Sequence, residues 1–382
     1  MSTTLLTGSE AAAYGAKLAK IEVIAYYPIT PAFPAMERVS KFIQDGELKA
    51  NFVRVESDHS ALAATLGASL AGARAFTVTN SQGLLYMTEV CYHTAGLRQP
   101  VVMACANRAL SAPHSRFPEQ GDAVSQGANG WIQLFCENNQ EVLDNTIQAF
   151  KIAETVKLPV LVNYEGYVQS HTLEEVVIPD QEKVNAFLPL VRFKTLDVEN
   201  PQGVNTVTSP DFYMDYKFRQ NEAMNEAVKV IGEVAETYGQ EFGRNWSGLI
   251  ETYKMDGAEH ALVCMGSMVS EARLAVDELR SQGKKVGLVK VRAWRPFPVE
   301  ALRASLKKVN KVTVFDKNIV YGMGGALGTE VRGALYGQAS LNVNSYIVGL
   351  GGRKFGLNEI KQVIELSEKT VKQDVISEWF GL

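Results

Sequence analysis

Over its first 165 residues the chain alternates apolar, β-branched runs with helix-like segments, and the joints between them are short. Strands are expected at residues 22–27, 50–56, 75–79, 100–105, 131–136 and 159–164. Helices are expected at 10–19, with Ser9 as a cap, and at 36–45, 61–72, 84–96 and 140–155. Such alternation implies a doubly wound parallel α/β sheet. Open sheets of this kind bind ligands outside the carboxyl ends of their strands. Every polar cluster of this half falls just after a strand: Thr30, residues 56–59, residues 80–82 and residues 107–122. They should converge on one edge of one sheet.

The stiffest joint is Tyr27-Pro28-Ile29-Thr30-Pro31-Ala32-Phe33-Pro34, with three prolines in eight residues. Proline lacks the N–H and fixes φ, so the strand must stop here and the turn is rigid. Such a turn either just connects strand to helix or presents the Thr30 hydroxyl to a ligand. Glu56 and Asp58 close the next strand. One of them hydrogen-bonds a ring nitrogen of a cofactor, or Asp58 or Ser57 merely caps the following helix. That helix is nearly all Ala, Leu, Gly and Ser, so it is expected to be buried against another backbone. Arg108 follows a wholly apolar strand. It either grips a carboxylate through two parallel hydrogen bonds or forms a rim ion pair.

From 166 to 258 the periodicity weakens. Residues 176–179, 189–191 and 211–216 look extended, and 222–238 reads as a helix. The stretch is expected to be a wrapping linker with helices. Residues 259–382 restart the alternation as a smaller α/β domain. Its Gly322-Met323-Gly324-Gly325-Ala326-Leu327-Gly328 run resembles a dinucleotide fingerprint, but spacing and position favour close helix–strand packing. Three segments are therefore expected: 1–165, 166–258 and 259–382.

A net charge of −4 with no Lys/Arg run argues against nucleic acid as a partner. No apolar run approaches the ~20 residues of a membrane span. The N-terminus lacks the pattern of a secretory signal. Cys91, Cys105, Cys136 and Cys264 contain no C-x-x-C pair, and the five histidines show no ligand spacing, so no metal site is expected on this chain. Scattered cysteines of this kind suit a reducing cytoplasm.

Taken in order, Tyr27-Pro28-Ile29-Thr30-Pro31, Val55-Glu56-Ser57-Asp58-His59-Ser60-Ala61, Thr79-Asn80-Ser81-Gln82-Gly83-Leu84, Asn107-Arg108-Ala109-Leu110-Ser111-Ala112-Pro113, Gly130-Trp131-Ile132-Gln133, residues 144–154 and Arg295-Pro296-Phe297-Pro298 resemble the alpha subunit of a 2-oxoacid:ferredoxin oxidoreductase of the pyruvate type. The resemblance covers nearly the whole chain. It implies a pyrimidine-binding domain for thiamine diphosphate followed by a transketolase C-terminal-like domain. A beta subunit should supply the diphosphate half with its Mg²⁺, and no G-D-G motif occurs here. Iron–sulfur clusters should lie on a delta-type partner, alongside a gamma subunit and, in some relatives, a flavin/NAD subunit. The implied reaction oxidatively decarboxylates a 2-oxoacid to acyl-CoA and CO₂, with coenzyme A as co-substrate and ferredoxin or NAD as acceptor.

The resemblance assigns Thr30 and Arg108 to the substrate carboxylate. It assigns Asp58, where a glutamate is usual, to the aminopyrimidine, with Glu56 as its substitute. Ser81 and Gln82 fall to the cofactor as well. Phe33 stands where a small residue is common, and Glu119-Gln120 replace an Asp-His pair. Phe33 and Phe117 therefore either line a pocket for an aromatic 2-oxoacid such as phenylglyoxylate or simply pack. A transketolase-like transferase without redox chemistry and a non-catalytic scaffold are the rival readings.

Overall fold

The computed structural model describes residues 2–192, 196–337, 341–370 and 376–382. A seven-stranded sheet dominates the first half. Its order is Ala293–Arg295, Ile132–Phe135, Val160–Glu165, Val102–Asn107, Ala75–Thr79, Val23–Tyr26 and Asn51–Arg54. The six strands from the first half are all parallel. Every residue of Val102–Asn107 and Val160–Glu165 is buried, as strands covered by helices on both faces must be. The expected doubly wound sheet is thus present.

The seventh strand departs from expectation. Ala293–Arg295 crosses from the second half and pairs antiparallel with Ile132–Phe135. Three residues are too short a run for period-two patterning to reveal.

The second sheet runs Glu378–Trp379, Asn342–Ile347, Lys311–Asp316, His260–Cys264, Val286–Val291 and Ile250–Tyr253, with the last strand antiparallel. Ile250–Tyr253 falls inside the stretch read as a linker. So does Glu174–Ile178, which forms a two-stranded antiparallel ribbon with Ser2–Leu6.

Four local expectations are corrected. Thr7, not Ser9, caps the first helix Gly8–Leu18, through a capping box with Glu10. Ser9 is buried and its hydroxyl lies 3.1 Å from the Tyr164 hydroxyl. The segment expected as one helix over 84–96 is two, Ser81–Tyr86 and Thr88–Gly96. The small-residue helix Asp58–Leu70 is buried along one face only, and a Cβ at Gly67 would meet nothing within 4 Å. Residues 211–216, read as extended, open the 33-residue helix Pro210–Phe242. Its first turns mix aromatic and charged residues without a single apolar stripe, so the helical period is hidden.

A buried ionic seam joins the halves. Lys290 is 1% exposed and donates to Glu137 (3.0 Å) and Glu141 (2.8 Å) on the first-half side. Arg292 donates to Asn145 (2.6 Å). Asp144 collects Arg244 (2.7 Å), Tyr238 (2.7 Å) and Trp246 (3.0 Å). Among the described residues no helix is long and apolar enough to cross a membrane.

Candidate active site

The carboxyl edge of the large sheet gathers the polar clusters around Asp122. Its carboxylate is fully buried. It accepts the backbone N–H of Ser81 (2.9 Å), Arg108 (3.0 Å) and Ala123 (2.8 Å), and the Asn107 amide (3.0 Å). Burial pushes its pKa up, and these four donors oppose that shift. Asp122 therefore ties together the ends of two adjacent strands, Ala75–Thr79 and Val102–Asn107. Sequence reading placed it in a polar cluster but gave it no role. Its partners are distant in sequence and meet only when the loop after Asn107 folds back.

That anchor fixes Arg108, which is 7% exposed. Its Nη1 donates to the Thr30 carbonyl (2.5 Å) and its Nη2 to Gln82 Oε1 (3.2 Å). Its buried Nε has no partner. Thr30, Gln82 and Arg108 thus meet, although the Arg108 contact is with the Thr30 carbonyl and not its hydroxyl. Thr30 is itself exposed. Ser81 adopts φ 48° and donates to Ala109 O (2.7 Å) and Gln82 Oε1 (2.6 Å). It therefore shapes the turn. Asn80, the residue before Ser81, is buried with both amide atoms unpartnered. Orphaned buried donors and acceptors are costly, so a polar group docking at this edge fits the residues present.

The two candidate acids diverge. Asp58 is 5% exposed and accepts the Thr79 hydroxyl (2.8 Å). Gly83 makes the approach possible, since a Cβ there would fall 2.6 Å from Asp58 Oδ1. Burial raises the Asp58 pKa, with the Thr79 hydroxyl as the main opposing influence. Glu56 is exposed and accepts the Ser60 hydroxyl, which lowers its pKa. Ser57 performs the helix capping through the Ser60 N–H (3.1 Å). Asp58 is thereby free of the capping task.

The two phenylalanines are not brought together by any ring contact among the described residues. Phe33 begins the helix Phe33–Gln44 and packs, partly buried, on the first-half core. Phe117 is 56% exposed, with its ring 5.6 Å from Tyr167. Gly352 of the second half lies against it, since a Cβ there would sit 2.6 Å from the Phe117 Cβ. The second half also grips this loop through Gln120. The Gln120 N–H donates to Lys317 O (2.8 Å) and its amide to Met265 O (3.2 Å).

A doubly wound domain with a buried acid and an arginine on one sheet edge is followed by a second α/β domain, the two-domain order that the family models matching this chain describe. Residues 14–236 match the family model described as pyruvate flavodoxin/ferredoxin oxidoreductase, thiamine diphosphate-binding. Residues 258–360 match pyruvate:ferredoxin oxidoreductase core domain II. The chain belongs to the 2-oxoacid:ferredoxin oxidoreductase family, as an alpha-type subunit. It is 43% identical to the pyruvate synthase subunit PorA of Methanothermobacter thermautotrophicus, over 100% of this chain and 99% of the relative. It is 41% identical to the ketoisovalerate oxidoreductase subunit VorA of Pyrococcus abyssi, over 99% and 97%. Its fold is similar to that of the 2-oxoglutarate:ferredoxin oxidoreductase of Magnetococcus marinus, with a TM-score of 0.76 at 19% identity over 96% of this chain and 65% of that one. A split-gene transketolase, solved as an inactive beta4 tetramer, matches with a TM-score of 0.55 at 15% identity over 95% and 98%.

Proposed function

We propose that this chain carries the pyrimidine-binding half of a site that oxidatively decarboxylates an aliphatic 2-oxoacid to acyl-CoA and CO₂. Partner chains supply the diphosphate half with its Mg²⁺ and the iron–sulfur clusters that pass electrons to ferredoxin. The observation that carries this reading is the Asp122-anchored edge. It sets a desolvated arginine beside Thr30 and Gln82, close in the fold to a buried carboxylate.

When bound, thiamine diphosphate supplies the organic chemistry of decarboxylation, and the protein supplies orientation and electrostatics. Asp58 would hold the ring end of the cofactor. A buried carboxyl of raised pKa, steadied by one hydroxyl, suits the holding of a proton at a ring nitrogen. Arg108 is held in orientation by two acceptors and keeps Nε unpaired, so it is set to receive the substrate carboxylate. The exposed Thr30 hydroxyl is within the same turn. Ser81 and Gln82 maintain the arginine's geometry, and Gln82 also offers its amide to the cofactor.

An aliphatic substrate is favoured over an aromatic one on two grounds. Phe33 is engaged with the core and not with Phe117. The two relatives named above at 41–43% identity are subunits of pyruvate and ketoisovalerate enzymes. The test is substrate-dependent bleaching of the iron–sulfur absorbance of the purified complex with coenzyme A. Pyruvate, 2-oxoisovalerate and phenylglyoxylate are offered in parallel. Bleaching by either aliphatic acid is expected. Bleaching by phenylglyoxylate alone would make Phe33 and Phe117 pocket walls, and none at all would sink the assignment.

A further inference from the structure

Residues 211–219, the outer turns of the helix Pro210–Phe242, are exposed without exception. They carry Phe212, Tyr213, Met214, Tyr216 and Phe218, each between 58% and 80% exposed. The arm leaves the body where Arg98 Nη1 reaches Arg219 O (3.5 Å) and Gly130 packs under Gln220. Beyond that point it stands free for roughly 13 Å at ~1.5 Å per residue. About two and a half aromatic-rich turns surrounded by water are not a stable arrangement for an isolated helix.

At 100° per residue, Phe212, Tyr213 and Tyr216 share one face, and Met214 and Phe218 share another on the far side. Lys217 lies between the faces on one flank, and Asp211, Asp215 and Arg219 on the other. A flat surface could cover one apolar face but not both, so the occupant must offer a cleft. Covering four aromatic side chains of ~150–250 Å² each, together with Met214, approaches the ~800 Å² per partner of a specific interface.

The patch is continuous with the cofactor edge. The base of the arm rests beside the helix Thr88–Gly96, which exposes Tyr92. Asn205, six residues before the arm, pairs with His93 of that helix (3.2 Å). Glu89, one turn earlier, lies 3.6 Å from His59, the residue next to Asp58. The His59 ring packs on the exposed Tyr86 (5.7 Å). An aromatic and polar strip thus runs from Asp58 to the arm.

We propose that the arm is a clasp inserted into an apolar cleft of the subunit that completes the thiamine site with its diphosphate half. This rests on the function proposed above, and its test reads composition instead of turnover. The full complex is purified through a tag on this chain, carrying either Phe212→Asp with Tyr216→Asp or Met214→Asp with Phe218→Asp. Native mass spectrometry follows the diphosphate-binding subunit on dilution. Both pairs lie on exposed positions, so the chain should keep its own Tm. Retention of that subunit should weaken by roughly 30-fold or more for each pair, as for other aromatic anchors. Unchanged retention would overturn the proposal. So would loss of a different subunit, or a halved mass with every subunit type kept in ratio, which would mean that a second copy of this chain covers the arm. Bleaching and thiamine content of the unaltered complex test the functional reading separately.

Discussion

Asp122 in the first half and Asp316 in the second are both fully buried at the carboxyl edge of a parallel sheet, and both collect backbone N–H groups. Asp316 accepts Leu327 N (2.7 Å), Gly328 N (2.9 Å) and the Asn318 amide (3.1 Å). Its carboxylate therefore fills the helix N-terminus where a fingerprint of glycines would otherwise cradle a phosphate. Gly325 admits it, since a Cβ there would lie 2.2 Å from Asp316 Cγ, and Gly328 makes room for the neighbouring Ser345, whose Oγ would lie 2.3 Å from a Cβ. The packing reading of this glycine run agrees with that arrangement. Asp122 serves a different end. It organises neighbours that keep unmet groups, namely Arg108 Nε and the Asn80 amide. One edge closes on itself and the other leaves polar groups unmet.

The contrast breaks most directly at Asp58. In the assembled complex, Asp58→Ala should lower kcat by about 10²–10⁴, the range of a proton-handling group. Stranding the buried Thr79 hydroxyl should cost about 1–3 kcal/mol of stability, too little to account for such a loss of turnover. A kcat within a few-fold of the parent would remove Asp58 from the open edge.

Next in size is Arg108→Ala. It should reduce kcat/KM by about 2–5 kcal/mol, because a substrate carboxylate would lose its charged partner. Steady-state kinetics with the best 2-oxoacid measures it.

Asp316→Ala sharpens the other side. It strands several buried donors and should destabilise the second half by roughly 2–4 kcal/mol. Turnover per folded enzyme should be unchanged, and calorimetry beside kinetics separates the two effects. An equal loss of kcat would mean that the closed edge is not purely structural.

The smallest effect concerns Glu119, on the loop beside Asp122. Burial, helped by the Asp122 charge, raises its pKa to about 7. A carboxyl with a raised folded pKa favours the fold below its unfolded value. That contribution is lost as pH rises from about 4.5 to about 7. Glu119→Gln should therefore be more stable than the parent at pH 8 by roughly 1–2 kcal/mol and equal to it at pH 4.5. Parallel melts at the two pH values decide it.

Legibility from sequence followed the same division. Strands such as Val102–Asn107 and Val160–Glu165 were readable because a wholly buried strand is wholly apolar over most of its length. The convergence of Thr30, Gln82 and Arg108 followed from their place after strands. The role of Asp122 was not readable, because its partners Ser81 and Asn107 are set by a loop that folds back. Residues 211–216 of the arm were misread as extended for a physical reason too. A helix solvated on every side within its own chain shows no amphipathic period. The choice between Asp58 and Glu56 needed burial, which neighbouring residues of similar type cannot report.

The strand Ala293–Arg295 carries a consequence for synthesis. As the chain leaves the ribosome, domains tend to fold as they emerge. The first half cannot be complete in that way. Until residue 295 has appeared, Ile132–Phe135 is a bare sheet edge of the kind that pairs with other chains. Until Lys290 and Arg292 have appeared, Glu137 and Glu141 lack the buried cations that neutralise them. Nearly three hundred residues must therefore be held in an unfinished state, and the same late segment repairs both defects.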